Sequence, residues 1–304
     1  MARGEPVRVA VIGAGRMGRT HLRALARAKG VEAVAAVDPV AAVREEVGRD
    51  GVRAWSTVDE LLHAGGFDAV LIAAPTDLHL DLVTRFAGAG LPILCEKPCG
   101  VHADETAQAV RAAAHADVLL QVGYWRRFVP ALVEVRERLL AGAYGSPLLI
   151  SCWQWDAQPP AASFRARSGG ILLDMGVHEF DQLRWLTGRE IEEVAAFAAG
   201  PDADSATALV ELDDDTGALV SLGRMFPHGD CCWLELMGTR GHVRERFMWG
   251  EAGGRVFEDA LVAQAEAFAC AVRGEASRGA TGEDAIRAIE TADRAARSLA
   301  TLRG

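Results

Sequence analysis

Several things are scarce in this chain, and each scarcity excludes something. Tyrosine occurs twice, at Tyr124 and Tyr144, and neither is followed four residues later by lysine. The Tyr-x-x-x-Lys pair of short-chain dehydrogenases is therefore absent. No Gly-x-Ser-x-Gly occurs, so a hydrolase nucleophile elbow is excluded. The six cysteines, Cys95, Cys99, Cys152, Cys231, Cys232 and Cys270, form no Cys-x-x-Cys and no Cys/His cluster with zinc spacing. No metal centre is expected, and the thiols read as reduced, in a cytoplasmic protein. Basic charge is short as well: 32 Lys+Arg against 42 Asp+Glu leave a net charge of −10. Such a chain is a poor binder of polyanions, and nucleic acid is not an expected partner. Apolar runs near the start, such as Val9–Gly15, are too short to span a bilayer. Met1–Pro6 carries no apolar core of a signal peptide, so neither a membrane nor a targeting segment is expected.

What is present is an ordinary globular mixture, 50% hydrophobic and 24% charged over 304 residues. That length predicts two domains. In the first third, strand-like runs (Val7–Ile12, Val31–Asp38, Ala69–Ala73, Pro92–Cys95, Val118–Val122) alternate with helix-like segments (Gly18–Lys29, Asp77–Ala89, Asp104–Ala114). This βαβα alternation predicts a doubly wound parallel sheet, a Rossmann arrangement. The pattern changes near Gly123, which sets domains of 1–123 and 124–304. Beyond it, strand-like runs lie closer together, at Leu148–Trp155, Glu192–Ala199, Ala206–Leu212, Leu219–Met225 and Cys232–Met237. They predict an α+β domain with an open, mostly antiparallel sheet. Helices are expected at about Asp174–Thr187, Glu258–Arg273 and Glu283–Leu302.

Three groups of residues carry candidate chemistry. Gly13-Ala14-Gly15-Arg16-Met17-Gly18 follows a strand and opens a helix. Gly13 permits a tight turn, Gly15 lets the backbone approach a pyrophosphate, and Gly18 lets helix and strand pack closely. Asp38 ends the second strand about 20 residues on, where a carboxylate accepts the ribose hydroxyls and repels a 2′-phosphate. NAD is thus expected over NADP, with Arg44 the nearest downstream arginine. Glu96-Lys97-Pro98 sits just beyond a strand, at the carboxyl edge where ligands bind. Lys97 there can hold a substrate hydroxyl, or be a surface lysine in a turn. Asp174, His178 and Asp181 fall at i, i+4 and i+7, on one helix face. An imidazole between two carboxylates suits a general base. The same spacing also fits an N-cap and a core histidine. Trp153 and Trp155 alternate with Gln154, so both indoles share one face. They could stack a sugar ring there, or fill a core or an oligomer contact.

With Ala74-Pro75-Thr76…His79, Gly123-Tyr124…Arg126-Arg127-Phe128…Pro130 and Gly169-Gly170…Trp185-Leu186…Gly188, these motifs resemble the Gfo/Idh/MocA oxidoreductases over nearly the whole chain. The resemblance implies NAD as cofactor, contacted by Gly13, Gly15, Arg16, Met17, Gly18, Asp38, Pro75, Thr76, His79, Glu96 and Lys97. It implies Lys97, Asp174 and His178 as catalytic residues, with Tyr124, Arg127 and Asp181 also on the substrate. His178 would take the hydroxyl proton as the carbinol hydride leaves for nicotinamide. It further implies a homodimer or homotetramer through the C-terminal sheet. The helix around His178 looks closest to the inositol dehydrogenase branch, whereas Ser151–Asp156 and His228–Cys232 depart from it. The expected activity is oxidation of a ring secondary alcohol of a cyclitol or sugar. Two other readings stand beside it. One is an enzyme of the same family that retains NAD and uses transient redox, as a lyase, epimerase or glycosidase. The other is a non-catalytic NAD-binding protein.

Overall fold

The computed structural model describes residues 5–165, 168–199 and 204–302. In chain order the elements begin with β1 (Val7–Ile12), α1 (Arg16–Arg27), β2 (Val31–Val37), α2 (Ala41–Arg49), β3 (Arg53–Trp55), α3 (Val58–Ala64) and β4 (Ala69–Ile72). They continue with α4 (His79–Gly88), β5 (Ile93–Cys95), α5 (Ala103–His115), β6 (Leu120–Val122), α6 (Pro130–Leu140), β7 (Pro147–Asp156), α7 (Ala162–Arg165) and α8 (Val177–Thr187). The chain closes with β8 (Ile191–Ala199), β9 (Ser205–Leu212), β10 (Gly217–Arg224), β11 (Cys231–Gly238), β12 (His242–Trp249), α9 (Gly250–Val272), β13 (Ala280–Thr281) and α10 (Gly282–Leu302). Among the described residues, no helix is long and apolar enough to cross a membrane.

Two compact units divide these elements. The first is Met1–Gly100, Asp104–Tyr124 and Leu261–Ala285; the second is Val101–Ala103, Trp125–Ala260 and Ile286–Gly304. The changeover at Tyr124/Trp125 lies beside the sequence boundary at 123/124, and the first unit also takes in a later stretch of chain.

The first unit holds a seven-stranded sheet in the order β13-β6-β5-β4-β1-β2-β3. Its pairs are parallel apart from β13, which runs antiparallel to β6. The order reverses between β1 and β4, and in open α/β sheets ligands bind at the carboxyl ends of the strands at such a reversal. The apolar run of β1 is buried on both faces. Val7, Val9 and Val11 join Leu25 of α1 and Phe268 and Ala269 of α9 in one cluster. Ala14 and Ala36 pack with Val47 of α2 in another. The segment from α2 to α3 has no counterpart in the sequence reading. Its β3 is three residues long, and α3 is announced only by a capping box in which Thr57 and Glu60 cap each other.

The second unit holds a six-stranded sheet in the order β12-β11-β7-β10-β9-β8. Its pairs are antiparallel except that β10 runs parallel to β7. Strand β7 lies between β11 and β10, so its alternating residues set the two faces. Ile150 and Cys152 are buried on one face with Val220, Leu222, Leu234 and Leu236. Helix α6 and strand β12 also went unpredicted.

Candidate active site

In the first unit the glycine turn has the geometry its sequence requires. Gly13 has φ +87°, and a Cβ there would stand 2.8 Å from Ala74 Cα. A Cβ on Gly18 would fall 1.9 Å from the Gly13 carbonyl oxygen, so helix and turn touch through bare backbone. Around Gly15 there is open space within 4 Å of the same position. Gly15 caps α1 without a side chain, and the first turn holds no acidic residue. An uncapped helix start with positive dipole and open approach fits the pyrophosphate of a dinucleotide. Arg16 is exposed and Met17 half-buried beside it.

Asp38 is buried just beyond β2. Its Oδ2 accepts the Ala14 N–H at 2.9 Å and its Oδ1 the Val40 N–H at 2.9 Å. The acid is thereby locked to the glycine turn. Arg44 folds back from α2 and donates to the carbonyls of Asp38 and Pro39, both at 2.8 Å. Six residues on from Asp38, it is held against it by the fold of the turn.

Lys97 is half-buried two residues beyond the end of β5. The Lys97–Pro98 peptide is cis. Glu96 turns inward, with Oε1 2.6 Å from His21 Nε2 of α1 and Oε2 accepting the Lys97 N–H at 3.1 Å. Burial opposes ionisation of Glu96, but the hydrogen bond and charge of His21, with the charge of Lys97, outweigh it and hold the carboxyl below its ordinary range. Pro75 is exposed and Thr76 half-buried in the turn before α4.

In the second unit, Leu172–Gly176 is a π-turn that runs into α8. Asp174 lies in that wider turn and His178 in the first turn of the helix. Wide turns of this kind occur often at functional sites. Asp174 Oδ2 accepts from Arg224 Nη2 at 2.7 Å. Asp204 lies 3.6 Å from the other arm of Arg224 and also pairs with Arg165. Asp181 accepts from Arg127 Nε at 3.0 Å and from its Nη2 at 2.5 Å. Each carboxylate expected beside His178 thus has its own arginine. His178 is 7% exposed and meets the edge of Trp125, with ring centroids 6.3 Å apart.

Against known families, residues 7–124 match the oxidoreductase family GFO_IDH_MocA, NAD-binding Rossmann fold, and residues 132–244 match the GFO/IDH/MocA C-terminal domain. The chain belongs to the Gfo/Idh/MocA oxidoreductase family. The rhizopine catabolism protein MocA of Rhizobium meliloti is 48% identical over 96% of this chain and 95% of that protein. The myo-inositol dehydrogenase Hyg17 of Streptomyces leeuwenhoekii is 34% identical over 95% of this chain and 97% of that one. A crystal structure of scyllo-inositol dehydrogenase from Lactobacillus casei, with bound cofactor NAD(H) and scyllo-inositol, aligns with a TM-score of 0.88 at 26% identity, covering 98% of each chain.

Within this Gfo/Idh/MocA frame several assignments change. His79 is buried with Nδ1 2.8 Å from the Pro98 carbonyl oxygen and Nε2 2.9 Å from that of Ala74. Both ring nitrogens are committed to backbone, and burial pushes the imidazole below its ordinary pKa. His79 thereby braces the Ala74 turn against Pro98. The Glu96 carboxylate is likewise spent inside the protein. Trp153 and Trp155 are not gathered with His178. Their strand neighbours Cys152 and Gln154 meet Gln182 of α8 and Arg126, so both indoles project from the other face of the sheet. There Trp153 stacks on Trp233, with centroids 4.8 Å apart, and Trp155 donates to Ser221 Oγ at 3.1 Å. Tyr124 is buried and falls in the first unit.

Sequence reasoning missed four residues. Arg224 anchors Asp174 from 50 positions away. Arg126 and Glu179 form an ion pair at 2.6 Å inside the second unit. Asp156, at the end of β7, has its carboxyl pushed up to about 6, first by burial and then by the charge of Asp230, with Asp174 adding to it. Its only sequence signal was an acid ending a strand that departs from the inositol pattern.

The raised pKa of Asp156 fixes the sign of a stability effect. Between the unfolded value near 4 and the folded value of about 6, the folded state binds more protons. Stability therefore falls as pH rises through that window. Asp156→Asn removes this loss. Its Tm is expected to exceed that of the parent at pH 7 and to match it at pH 4. An equal Tm difference at both pH values would refute the assignment.

Proposed function

We propose that the chain is an NAD-dependent dehydrogenase that oxidises a ring secondary alcohol of a cyclitol or related sugar to the ketone. The observation that carries this reading is His178, a nearly buried imidazole in the first turn of α8. One turn before it stands Asp174, a carboxylate that Arg224 pins in place. The names of the relatives support the cyclitol class.

NAD, when bound on the glycine turn with its adenosine ribose at Asp38, supplies the acceptor for the hydride of the carbinol carbon. The protein's part is the proton and the positioning. His178 takes the hydroxyl proton as general base. Lys97 has the part of binding a substrate hydroxyl and favouring its alkoxide character. Asp174 orients the substrate or the imidazole. The Arg127–Asp181 pair offers donors and acceptors to further ring hydroxyls, which suits a polyol better than a simple alcohol.

A homodimer or homotetramer through the six-stranded sheet accompanies this reading. Leu149, Phe197, Leu209 and Met237 stand exposed on its strands, and apolar patches of this kind mark association surfaces. Six free thiols suit a reducing compartment, the cytoplasm.

The test is NADH absorbance with purified protein, NAD and a panel of myo-inositol, scyllo-inositol, amino-cyclitols, glucose, galactose, xylose and levoglucosan. NADH accumulation with a cyclitol is the expected result. NAD binding by calorimetry without NADH from any panel member, but with a rearranged or cleaved product, would replace the dehydrogenase reading with one of recycled NAD.

A further inference from the structure

Three consecutive residues of the buried turn Trp125–Phe128 engage three residues of α8. Trp125 meets the His178 ring edge-on, with centroids 6.3 Å apart. Arg126 Nη1 lies 2.6 Å from Glu179 Oε1, and Arg127 Nε donates to Asp181 Oδ2 at 3.0 Å. The middle contact is closed to solvent, with the Arg126 side chain 2% exposed and that of Glu179 fully buried. Arg126 is tied to the sheet as well. It donates to Gln154 Oε1 of β7 at 2.7 Å and to Gln182 Oε1 of α8 at 3.2 Å. Its guanidinium carbon lies 5.3 Å from the ring centroid of Phe247 in β12. One side chain thus joins β7, β12 and α8, next in sequence to the ring that touches His178 and against the residue that follows His178.

A buried ion pair is often no more stable than apolar groups of the same volume, and its best-attested use is to fix a register. Helix α8 has need of such a device. Its entry, Leu172–Gly176, is a π-turn, one residue out of step with an α-helix. Closing that turn to α geometry would rotate Asp174 by about 100° against His178. We infer that Arg126 and Glu179 are positioning residues for His178: their buried ion pair fixes the first turn of α8 against the sheet, and with it the direction of the imidazole. The consequence for turnover rests on the proposed function, in which His178 is the base; the fixing of the helix does not. Arg127 and Asp181 tie the same helix one turn further on, so loss of the inner pair frees the turn that carries His178 and leaves the next one anchored.

The test separates positioning from stability by removing the pair as a pair. Arg126→Met with Glu179→Leu, made in the full-length protein, leaves no buried charge behind and fills about the same volume. With the cyclitol that responds in the panel, kcat should fall about 10-fold or more. KM and the Kd for NAD should each stay within about threefold, since Arg127, Asp181 and the glycine turn are untouched. Hydrogen exchange read by mass spectrometry supplies a measure that needs no substrate. The amides of residues 177–182 should exchange about 10-fold faster than in the parent, with β9 and β10 unmoved. Arg126→Lys keeps a cation beside Glu179 but loses the planar fork that also reaches Gln154 and Gln182. It should show the same split, with kcat down about threefold or more, and it carries the test if the double variant does not fold.

Parent-like exchange of residues 177–182 in the folded variant would overturn the inference, whatever happens to turnover. So would a rise in KM that matches the fall in kcat, which would place the pair in substrate binding. The outcomes separate the two readings. Faster exchange in α8, in a protein whose parent is inactive on every cyclitol, upholds the positioning pair and removes the proposed function. Cyclitol turnover by the parent, with kcat and exchange both unmoved in the variant, does the reverse.

Discussion

His178→Ala should lower kcat for cyclitol oxidation by about 100- to 10,000-fold, the usual span for loss of a general base, and leave the Kd for NAD unchanged. The size of the expected effect follows from what surrounds the ring. Asp174 is engaged by Arg224 and Asp181 by Arg127, and a carboxylate in an ion pair is a weak base. Neither can take over proton removal. Trp125 fixes the imidazole from its edge and is itself set edge-on against Phe257, with centroids 4.9 Å apart. Losing the ring therefore removes a positioned base and not merely a mobile one. NAD affinity should hold because the glycine turn and Asp38 belong to the first unit and His178 to the second. Steady-state kinetics with NAD titration in parallel decide the matter. A variant within threefold of the parent in kcat would take His178 out of the mechanism.

The second large effect concerns stability. Arg126→Met should destabilise the protein by about 3–5 kcal/mol, the range for breaking a buried ion pair from one side. Glu179 is fully buried, and the Arg126 side chain is 2% exposed. Burial already pushes the Glu179 carboxyl above its ordinary pKa, with Arg126 as the group that opposes this. Without the guanidinium the carboxylate is left with Gln182, whose amide donates at 3.4 Å, and the Cys152 thiol. Arg126 also donates to Gln154 Oε1 at 2.7 Å and Gln182 Oε1 at 3.2 Å, and those acceptors lose their donor too. The double change Arg126→Met with Glu179→Leu should recover most of the loss, because apolar groups of similar volume need no partner. Urea unfolding of the three proteins checks both statements. A single variant within 1 kcal/mol of the parent would show that water reaches the pair.

Why some of this was readable in the sequence and some was not has physical reasons. The glycine turn was legible because each glycine answers a local demand, a positive φ at Gly13 and a close approach at Gly18, and local demands act over a few residues. The short strands β1, β2, β4 and β5 were legible because a strand covered on both faces must be mostly apolar, with Arg8 and Glu32 the exposed exceptions near the starts of β1 and β2. Strand β3 failed this test, being an edge strand of three residues with Arg53 exposed. The π-turn at Leu172–Gly176 carries no periodic mark, so a regular helix was drawn through Asp174. The arginines were harder still. Arg127 and Asp181 are 54 residues apart, and Arg126 and Gln154 are 28 apart; a pairing across such spans is set by the fold and not by spacing. Alternation put Trp153 and Trp155 on one face correctly. It could not say which face turns toward α8.

The return of the chain to the first sheet bears on how the molecule is made. Phe268 and Ala269 complete the core around β1, and β13 pairs with β6 through Ala280 and Thr281. The amino-terminal unit is therefore finished by residues that are made only after every strand of the second sheet. Contacts of such sequence separation form late and slowly. Until then the early strands are without part of the apolar cover that α9 provides, and the β6 edge is without its antiparallel neighbour. A fragment cut at the apparent domain boundary would share the same deficit. The unit that holds the dinucleotide turn begins before the second sheet in the sequence and is completed only after it.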